Sequence, residues 1–340
     1  MQYEPQPIYL FSPAFSTLSI EQVEETFLID WLRTHHLGEN DQLYHYTTLS
    51  GLRGILTSRT LWLGHISSLN DRTEIQYGQE IADEILRLAI QRESSEDIRI
   101  FLQDLSNWIR PFAKQSIHHV FVACFCRSGN LLSQWREYSH RGQGYCLGFQ
   151  FSAETRIVST ALDLKEGQIP FLRKVVYRKE EQERLINQYL SPVLQAVKES
   201  LKEADAESSE LRTRLGIMAI QAANVLMDMV MCFKHPAFES EDEWRLVYVA
   251  REDFNPKGLE FRETDGQLTP YRPVYVYDKA GEAPLRFPIR SIRFGPTLEP
   301  DRTRSSLSLF VKRLASEDHA ISLSPDPDII GAGISLRNRS

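Results

Sequence analysis

Residues 120–126 read Val-Phe-Val-Ala-Cys-Phe-Cys, and this stretch is the most informative one for the fold. Because apolar side chains occupy both sets of alternating positions, the stretch predicts a β-strand that is covered on both faces. Other aromatic and β-branched runs are typical of strands as well. They lie at residues 42–47, 60–64, 144–149, 171–177, 243–249, 274–277, 285–287 and 289–294.

Helical patterns separate these runs, and several have a recognisable first residue. Thr48 can cap a helix that carries Leu52, Ile55 and Leu56 on one face. Strand and helix do not alternate regularly, and no strand is followed by a glycine-rich phosphate loop, which excludes Rossmann and P-loop folds. The sequence therefore predicts an α+β fold with a mixed, largely antiparallel sheet and helical insertions.

The same patterns predict the domain organisation. We expect an N-terminal helical extension over residues 1–40 and one α+β domain over 41–325. A helical insertion at about 179–232 interrupts this domain, and residues 326–340 form a tail. The helices after Lys179 offer a surface for a homo-oligomer.

Composition limits the classes of partner and compartment. The net charge of -7 argues against general binding to a nucleic-acid backbone, which needs a basic surface. No apolar run has the length of a membrane span, and the first residues lack the pattern of a secretory signal. The four cysteines have the apolar neighbours of buried thiols in a reducing compartment. We expect a cytoplasmic protein that does not bind membranes.

Charged residues that could carry chemistry lie near the strand at 243–249. If residues 241–248 formed a strand, Glu241, Glu243 and Arg245 would share one face, because side chains alternate along a strand. Three charges in line must meet solvent, each other or a ligand, since an unpaired buried charge is too costly. The structural alternative is an exposed row of ion pairs on a sheet face. Lys234 precedes this row.

Other candidates have structural alternatives too. His45, in the run His45-Tyr-Thr47, would on its own be an ordinary core or edge histidine. Asn70-Asp71, with Ser68 before it and Glu74 after it, is typical of a turn and helix cap. Two aromatic side chains, Trp135 and Tyr138, have the spacing of packing residues on a short helix.

In combination, these motifs resemble a bacterial domain-of-unknown-function family numbered 2971. The resemblance runs in order from about residue 42 to 323. It is carried by His45-Tyr-Thr47, Leu61-Trp62, Asn70-Asp-x-x-Glu74, Leu131-Leu-Ser-Gln-Trp-Arg-Glu-Tyr138, Gly144 to Phe149, Lys234, Glu241-Asp-Glu-Trp-Arg245 and Ile292-Arg-Phe-Gly-Pro296.

The opening His-Tyr-Thr strand, the helix after it and the second strand are similar to ADP-ribosyltransferase-like domains. That resemblance implies a split sheet, with NAD as co-substrate and no metal. It also implies that His45 holds the adenosine ribose and Glu243 bonds the nicotinamide ribose, so both must line one pocket. Glu241-x-Glu243 resembles the paired-glutamate motif of transferases that modify side chains, with Glu241 as base.

The residues assigned on this resemblance form two groups. The catalytic group is Glu243, Glu241 and His45. The NAD-binding group is His45, Tyr46, Thr47, Asn70, Asp71, Trp135, Tyr138, Lys234 and Arg245.

Three functional classes are open. The first is NAD-dependent modification of a macromolecule, protein or nucleic acid, in the toxin or phage-defence setting that such bacterial families suggest. A metal-dependent nuclease is the second, with a hard cation near the scissile phosphate held by a cluster of Asp71, Glu74, Glu241, Glu243 and Lys234. The third is a non-catalytic module that binds a nucleotide or a partner.

Overall fold

A computed structural model describes most of the chain from residue 41 onward. The described ranges are 41–66, 74–109, 120–137, 143–152, 155–159, 170–203, 209–249, 258–264, 266–278, 284–296, 298–323 and 326–333. The predicted N-terminal extension at 1–40 lies outside them.

Thirteen strands in this part of the chain form one connected mixed sheet. They are β1 Leu43–Thr47, β2 Thr60–His65, β3 Val120–Cys126, β4 Tyr145–Phe149, β5 Thr155–Ser159, β6 Phe171–Lys174, β7 Glu243–Val249, β8 Glu260–Thr264, β9 Gln267–Asp278, β10 Leu285–Arg286, β11 Ile289–Phe294, β12 Ile321–Ser322 and β13 Asp328–Gly331.

Seven α-helices accompany the sheet in the described ranges. They are α1 Leu49–Ser58, α2 Glu74–Arg92, α3 Glu96–Ile109, α4 Leu132–Glu137, α5 Lys179–Glu203, α6 Ser209–Val230 and α7 Pro300–Ala315, and a 3-10 helix spans Pro236–Glu241. The predicted α+β class with a largely antiparallel sheet is confirmed, whereas the split sheet of ADP-ribosyltransferase-like domains is not. Of the helices described, none has the length and apolar character to cross a bilayer.

Strand β3 is the centre of the sheet, as its apolar sequence predicts. One edge pairs with β7 along its whole length, from Val120 opposite Val249 to Cys126 opposite Glu243. The other edge is shared, because β2 pairs near Val122 and β1 pairs at Cys126. Strands β1 and β2 therefore separate along β3, and we call the gap between them, beside Cys124, the fork.

The two faces of the sheet carry separate hydrophobic cores. On face A, Val122 and Val247 pack under helices α2, α3, α5 and α6. On face B, Phe125 and Trp244 pack with side chains of α1 and α7. Because side chains alternate along β3 and β7, each residue of these strands belongs to one face.

The structure adds elements that the sequence patterns did not predict. These are β8 and the first half of β9, which pair with each other, and β5, which pairs with the second half of β9. Strand β13 pairs in parallel with β11, so the sheet continues into the segment 326–340 that was expected to be a tail.

Replacing Phe125 with alanine should destabilise the protein strongly. Its side chain is fully buried and packs edge-on against the rings of Phe149 and Phe151. Removing a buried phenyl ring costs about 3 to 5 kcal/mol of unfolding free energy, measurable by urea denaturation. The control is Leu268→Ala, at a side chain that is 74% exposed, for which a change within about 0.5 kcal/mol is expected. Equal effects would contradict the assignment of β3 as the core strand.

Candidate functional site

Four charged side chains meet where the chain enters β7, and we call Lys234, Glu241, Glu243 and Arg245 the charged cluster. Arg245 donates to both oxygens of Glu243, from Nε to Oε1 at 2.8 Å and from Nη2 to Oε2 at 3.1 Å. Lys234 Nζ donates to Glu243 Oε2 at 3.0 Å and to Glu241 Oε2 at 2.6 Å. The two glutamates thus converge on one ammonium group.

A left-handed residue makes this convergence possible. The expectation that Glu241 belongs to the strand is wrong, because Glu241 ends the 3-10 helix and β7 begins at Glu243. Asp242 between them has φ 42° and ψ 56°, a conformation that L-residues other than asparagine and aspartate rarely adopt. This turn changes the chain direction between the two carboxylates, so they approach Lys234 from different sides.

The cluster is buried, which excludes the exposed row of ion pairs as its description. The side chains of Lys234, Glu243 and Arg245 are only 2–4% exposed, and that of Glu241 is 14% exposed. The surrounding backbone is also engaged: Arg245 Nη1 donates to the carbonyl of Met231 at 2.8 Å. Glu241 therefore forms the rim of the cluster and Glu243 its interior.

Glu243 is held as a carboxylate. Burial acts to raise its pKa, but the charges of Arg245 and Lys234 outweigh burial and lower the pKa to about 2. The Cys124 thiol, a hydrogen-bonding neighbour on β3, acts in the same direction. Glu243 consequently carries its charge throughout the physiological pH range.

His45 lies at the fork. Its Nδ1 is 2.9 Å from the carbonyl oxygen of Cys124, and because a carbonyl only accepts, Nδ1 must carry the proton. Burial lowers the pKa of the imidazole, the Cys124 carbonyl opposes this, and the charge of Arg262 lowers it further. The neutral ring then presents Nε2 as an acceptor.

His45 and Glu243 do not line one pocket, contrary to the expectation from the resemblance. His45 follows the alternation of Leu43 and contacts the ring of Phe125, with centroids 5.6 Å apart, on face B. Glu243 pairs with Cys126 on face A. Cys124 lies between them, with its carbonyl bonded to His45 and its thiol beside Glu243.

Three predicted NAD-binding residues have structural partners instead. Tyr46 donates to the carbonyl of Ser128 at 3.0 Å, and its ring meets Trp135 edge-on at 5.0 Å. Trp135 is fully buried, as its helical spacing with Tyr138 allowed. Thr47 is buried under the first turn of α1, where a Cβ on Gly51 would come within 2.1 Å of its Oγ1.

The remaining predicted residues cannot be placed in the site. Ser68, Asn70, Asp71 and Tyr138 lie outside the described residues, and Glu74 is the first residue of α2. Within the described ranges, no group of three histidine, cysteine, aspartate or glutamate side chains is arranged to hold a metal ion.

Sequence reasoning missed Arg262, which acts electrostatically on His45. It lies on the β8–β9 hairpin, where Arg262 is opposite Thr269. The Asp-Gly pair at 265–266 is the usual dipeptide of a tight hairpin and could have identified this element. Its position near the fork depends on the pairing of β9 with β2, which local sequence does not reveal.

Fold and site together define a class: an α+β protein with a forked sheet and a buried glutamate held between a lysine and an arginine. Residues 134–246 match the family described as "Protein of unknown function (DUF2971)", which confirms the family resemblance over these residues. The matched range contains the whole charged cluster. No curated protein and no solved structure matches the chain, so the ADP-ribosyltransferase-like resemblance stays a prediction.

The lowered pKa of Glu243 predicts a loss of stability in acid. The folded-state pKa of about 2 lies below the ordinary 4.5, so the ionised group stabilises the fold above pH 4.5. This contribution, roughly 3 kcal/mol, should disappear as the pH falls from 4.5 towards 2. Urea denaturation at a series of pH values measures it.

The matched variants are Glu243→Gln and Glu239→Gln. Glu243→Gln leaves Lys234 and Arg245 without their shared carboxylate and should cost about 3 to 5 kcal/mol at neutral pH. In this variant the free energy of unfolding should also depend less on pH below pH 4.5. Glu239, on the 3-10 helix, makes an exposed ion pair with Arg178, and its substitution should change neither quantity appreciably. An unchanged acid profile in Glu243→Gln would contradict the assignment.

Proposed function

We propose that the protein transfers ADP-ribose from NAD to a macromolecular acceptor, with the charged cluster as its carboxylate site and without the role for His45 that the resemblance implied, because His45 lies on the other face of the sheet. One observation carries this proposal: two glutamates separated by a single residue converge on Lys234, one at the rim and one inside. This arrangement agrees with the paired-glutamate motif of transferases that modify side chains. All four cysteines are free, which fits a cytoplasmic location.

The geometry changes the roles expected for the two glutamates. Glu243 accepts from Arg245 through both oxygens and from Lys234, and the Cys124 thiol is a further neighbour, so its acceptor positions are occupied. We therefore assign Glu243 as a positioning residue that holds Lys234 and Arg245. Glu241, the more exposed carboxylate, is the proposed catalytic residue that meets the substrate.

The proposed reaction breaks the bond between nicotinamide nitrogen and ribose C1′. The electron pair leaves with nicotinamide, which becomes neutral, and positive charge develops on the ribose. The carboxylate of Glu241, held near this positive charge, lowers the barrier because it needs no reorganisation during the reaction. A nucleophilic oxygen or nitrogen of the acceptor then bonds to C1′, and Glu241 takes the proton that the acceptor loses.

A second candidate function is non-catalytic binding, and a specific observation favours it. The cluster neutralises itself, with two carboxylates and two cations, and Arg245 also ties β7 to the carbonyl of Met231 after α6. Such a network is suited to bracing the sheet under an interaction surface. In this case Glu241 would contribute to stability or partner binding without turnover.

The nuclease alternative has less support from the geometry. Lys234 Nζ lies between the carboxylates of Glu241 and Glu243, where a divalent cation would have to bind. A metal ion would therefore have to displace a buried ammonium group. Chelator sensitivity of any phosphodiester cleavage would favour this alternative.

The direct test is release of nicotinamide from NAD, followed by mass spectrometry of labelled protein and nucleic acid. The wild-type protein should release nicotinamide and label an acceptor. Glu241→Gln should lower the rate about 100-fold or more, because the substituted amide cannot take a proton. Glu241 is partly exposed, so this variant should keep its fold.

Glu239→Gln is the matched control, since it changes an exposed glutamate on the same 3-10 helix and should keep full activity. Circular dichroism and thermal unfolding establish that each variant is folded. Wild-type protein that releases no nicotinamide with any acceptor fraction would refute the transferase proposal. Partner binding that survives in Glu241→Gln would then support the binding module.

A further inference from the structure

We propose that Arg262 forms a binding site for the phosphate groups of a nucleotide at the fork between β1 and β2. This inference deepens the proposed function and rests on it only for the identity of the nucleotide as NAD. The binding itself is independent of catalysis.

Arg262 extends over a neighbouring strand instead of into solvent. A Cβ atom built on Gly64 of β2 would lie 3.7 Å from Arg262 Nη2, an ordinary van der Waals distance, so the guanidinium lies over Gly64. Gly64 is opposite Val122 of face A, the face that also carries Glu243. The guanidinium therefore lies on the same face as the charged cluster and beside the fork.

This guanidinium has no anionic partner within the described residues. Its Nε is buried without a hydrogen bond, and none of the hydrogen bonds or ion pairs described involves its side chain. Burial lowers the pKa of Arg262, and Tyr271 is the group that acts against this. A cation taken out of water without a counter-ion is costly, so an anionic ligand would stabilise it.

The two cations that the resemblance assigned to NAD binding, Lys234 and Arg245, are already engaged. Arg245 and Lys234 both donate to Glu243, and all three side chains are almost fully buried. Releasing either cation to a ligand would leave Glu243 unpaired in the interior. Arg262 also carries one positive charge, and its binding to a ligand would leave Glu243 paired.

The neighbours of Arg262 suit a nucleotide. The rings of Trp62 and Tyr271 stack with centroids 4.7 Å apart and an interplanar angle of 29°, forming an aromatic border next to Arg262. The phosphates would meet the guanidinium of Arg262, and the base would meet this aromatic border.

Calorimetric titration with pyrophosphate, ADP and adenosine tests the site. Pyrophosphate and ADP should bind the wild-type protein, and Arg262→Gln should weaken both at least tenfold, because charge-assisted hydrogen bonds are lost. Arg262→Lys should bind both ligands with affinities between those of the wild type and Arg262→Gln, since lysine keeps the charge but loses the paired donors of the guanidinium. The control Arg286→Gln changes an exposed arginine on β10 and should bind as the wild type does.

The outcomes separate this site from the proposed function. Tighter binding of ADP than of pyrophosphate would support a nucleotide ligand, whereas equal affinities would reduce the site to a phosphate site and overturn the nucleotide assignment. Affinities in Arg262→Gln within twofold of the wild type would overturn the inference entirely. Arg262-dependent ADP binding in a protein that releases no nicotinamide would retain this site and reject the transferase.

Discussion

The bidentate contact between Glu243 and Arg245, with Lys234 as third member, is the constraint on which the candidate site depends. Each of these groups would be too costly to bury alone, so none can be removed without exposing the others to an apolar interior. The network also joins three chain segments, because Lys234 precedes the 3-10 helix and Arg245 of β7 donates to the carbonyl of Met231, which follows α6. The position of Lys234 in this network also fixes the position of Glu241, which accepts a hydrogen bond from the same ammonium group.

Local patterns predicted most elements because the patterns are themselves local. Thr48 caps α1 by accepting from the Gly51 amide, as a residue of its type should at that position. The apolar run of β3 correctly predicted a strand with two covered faces. By contrast, the left-handed turn at Asp242 depends on burial of the neighbouring carboxylates, and no rule of strand alternation could have predicted it.

Part of the candidate site could also be predicted from local sequence. Glu241, Glu243, Arg245 and Lys234 are close in sequence, and the structure brings them together. His45 was grouped with them through resemblance, yet strand register places its side chain on the other face. Register is a relation between distant segments, and a shift of one residue reverses every side chain.

The strand pairings also set the order in which the molecule can be assembled. Strand β2 pairs with β9 about two hundred residues later, and β4 pairs with β11 about one hundred and fifty residues later. A nascent chain can pair β1 and β2 with β3, but the strands that complete the sheet beside β3, β2 and β4, namely β7, β9 and β11, all lie in the last third of the chain. Pairing between such distant strands is slow. Until it is complete, the edge of β3 that will pair with β7 can form non-native contacts. We expect completion of this sheet to follow translation, with chaperones protecting β3 in the interval.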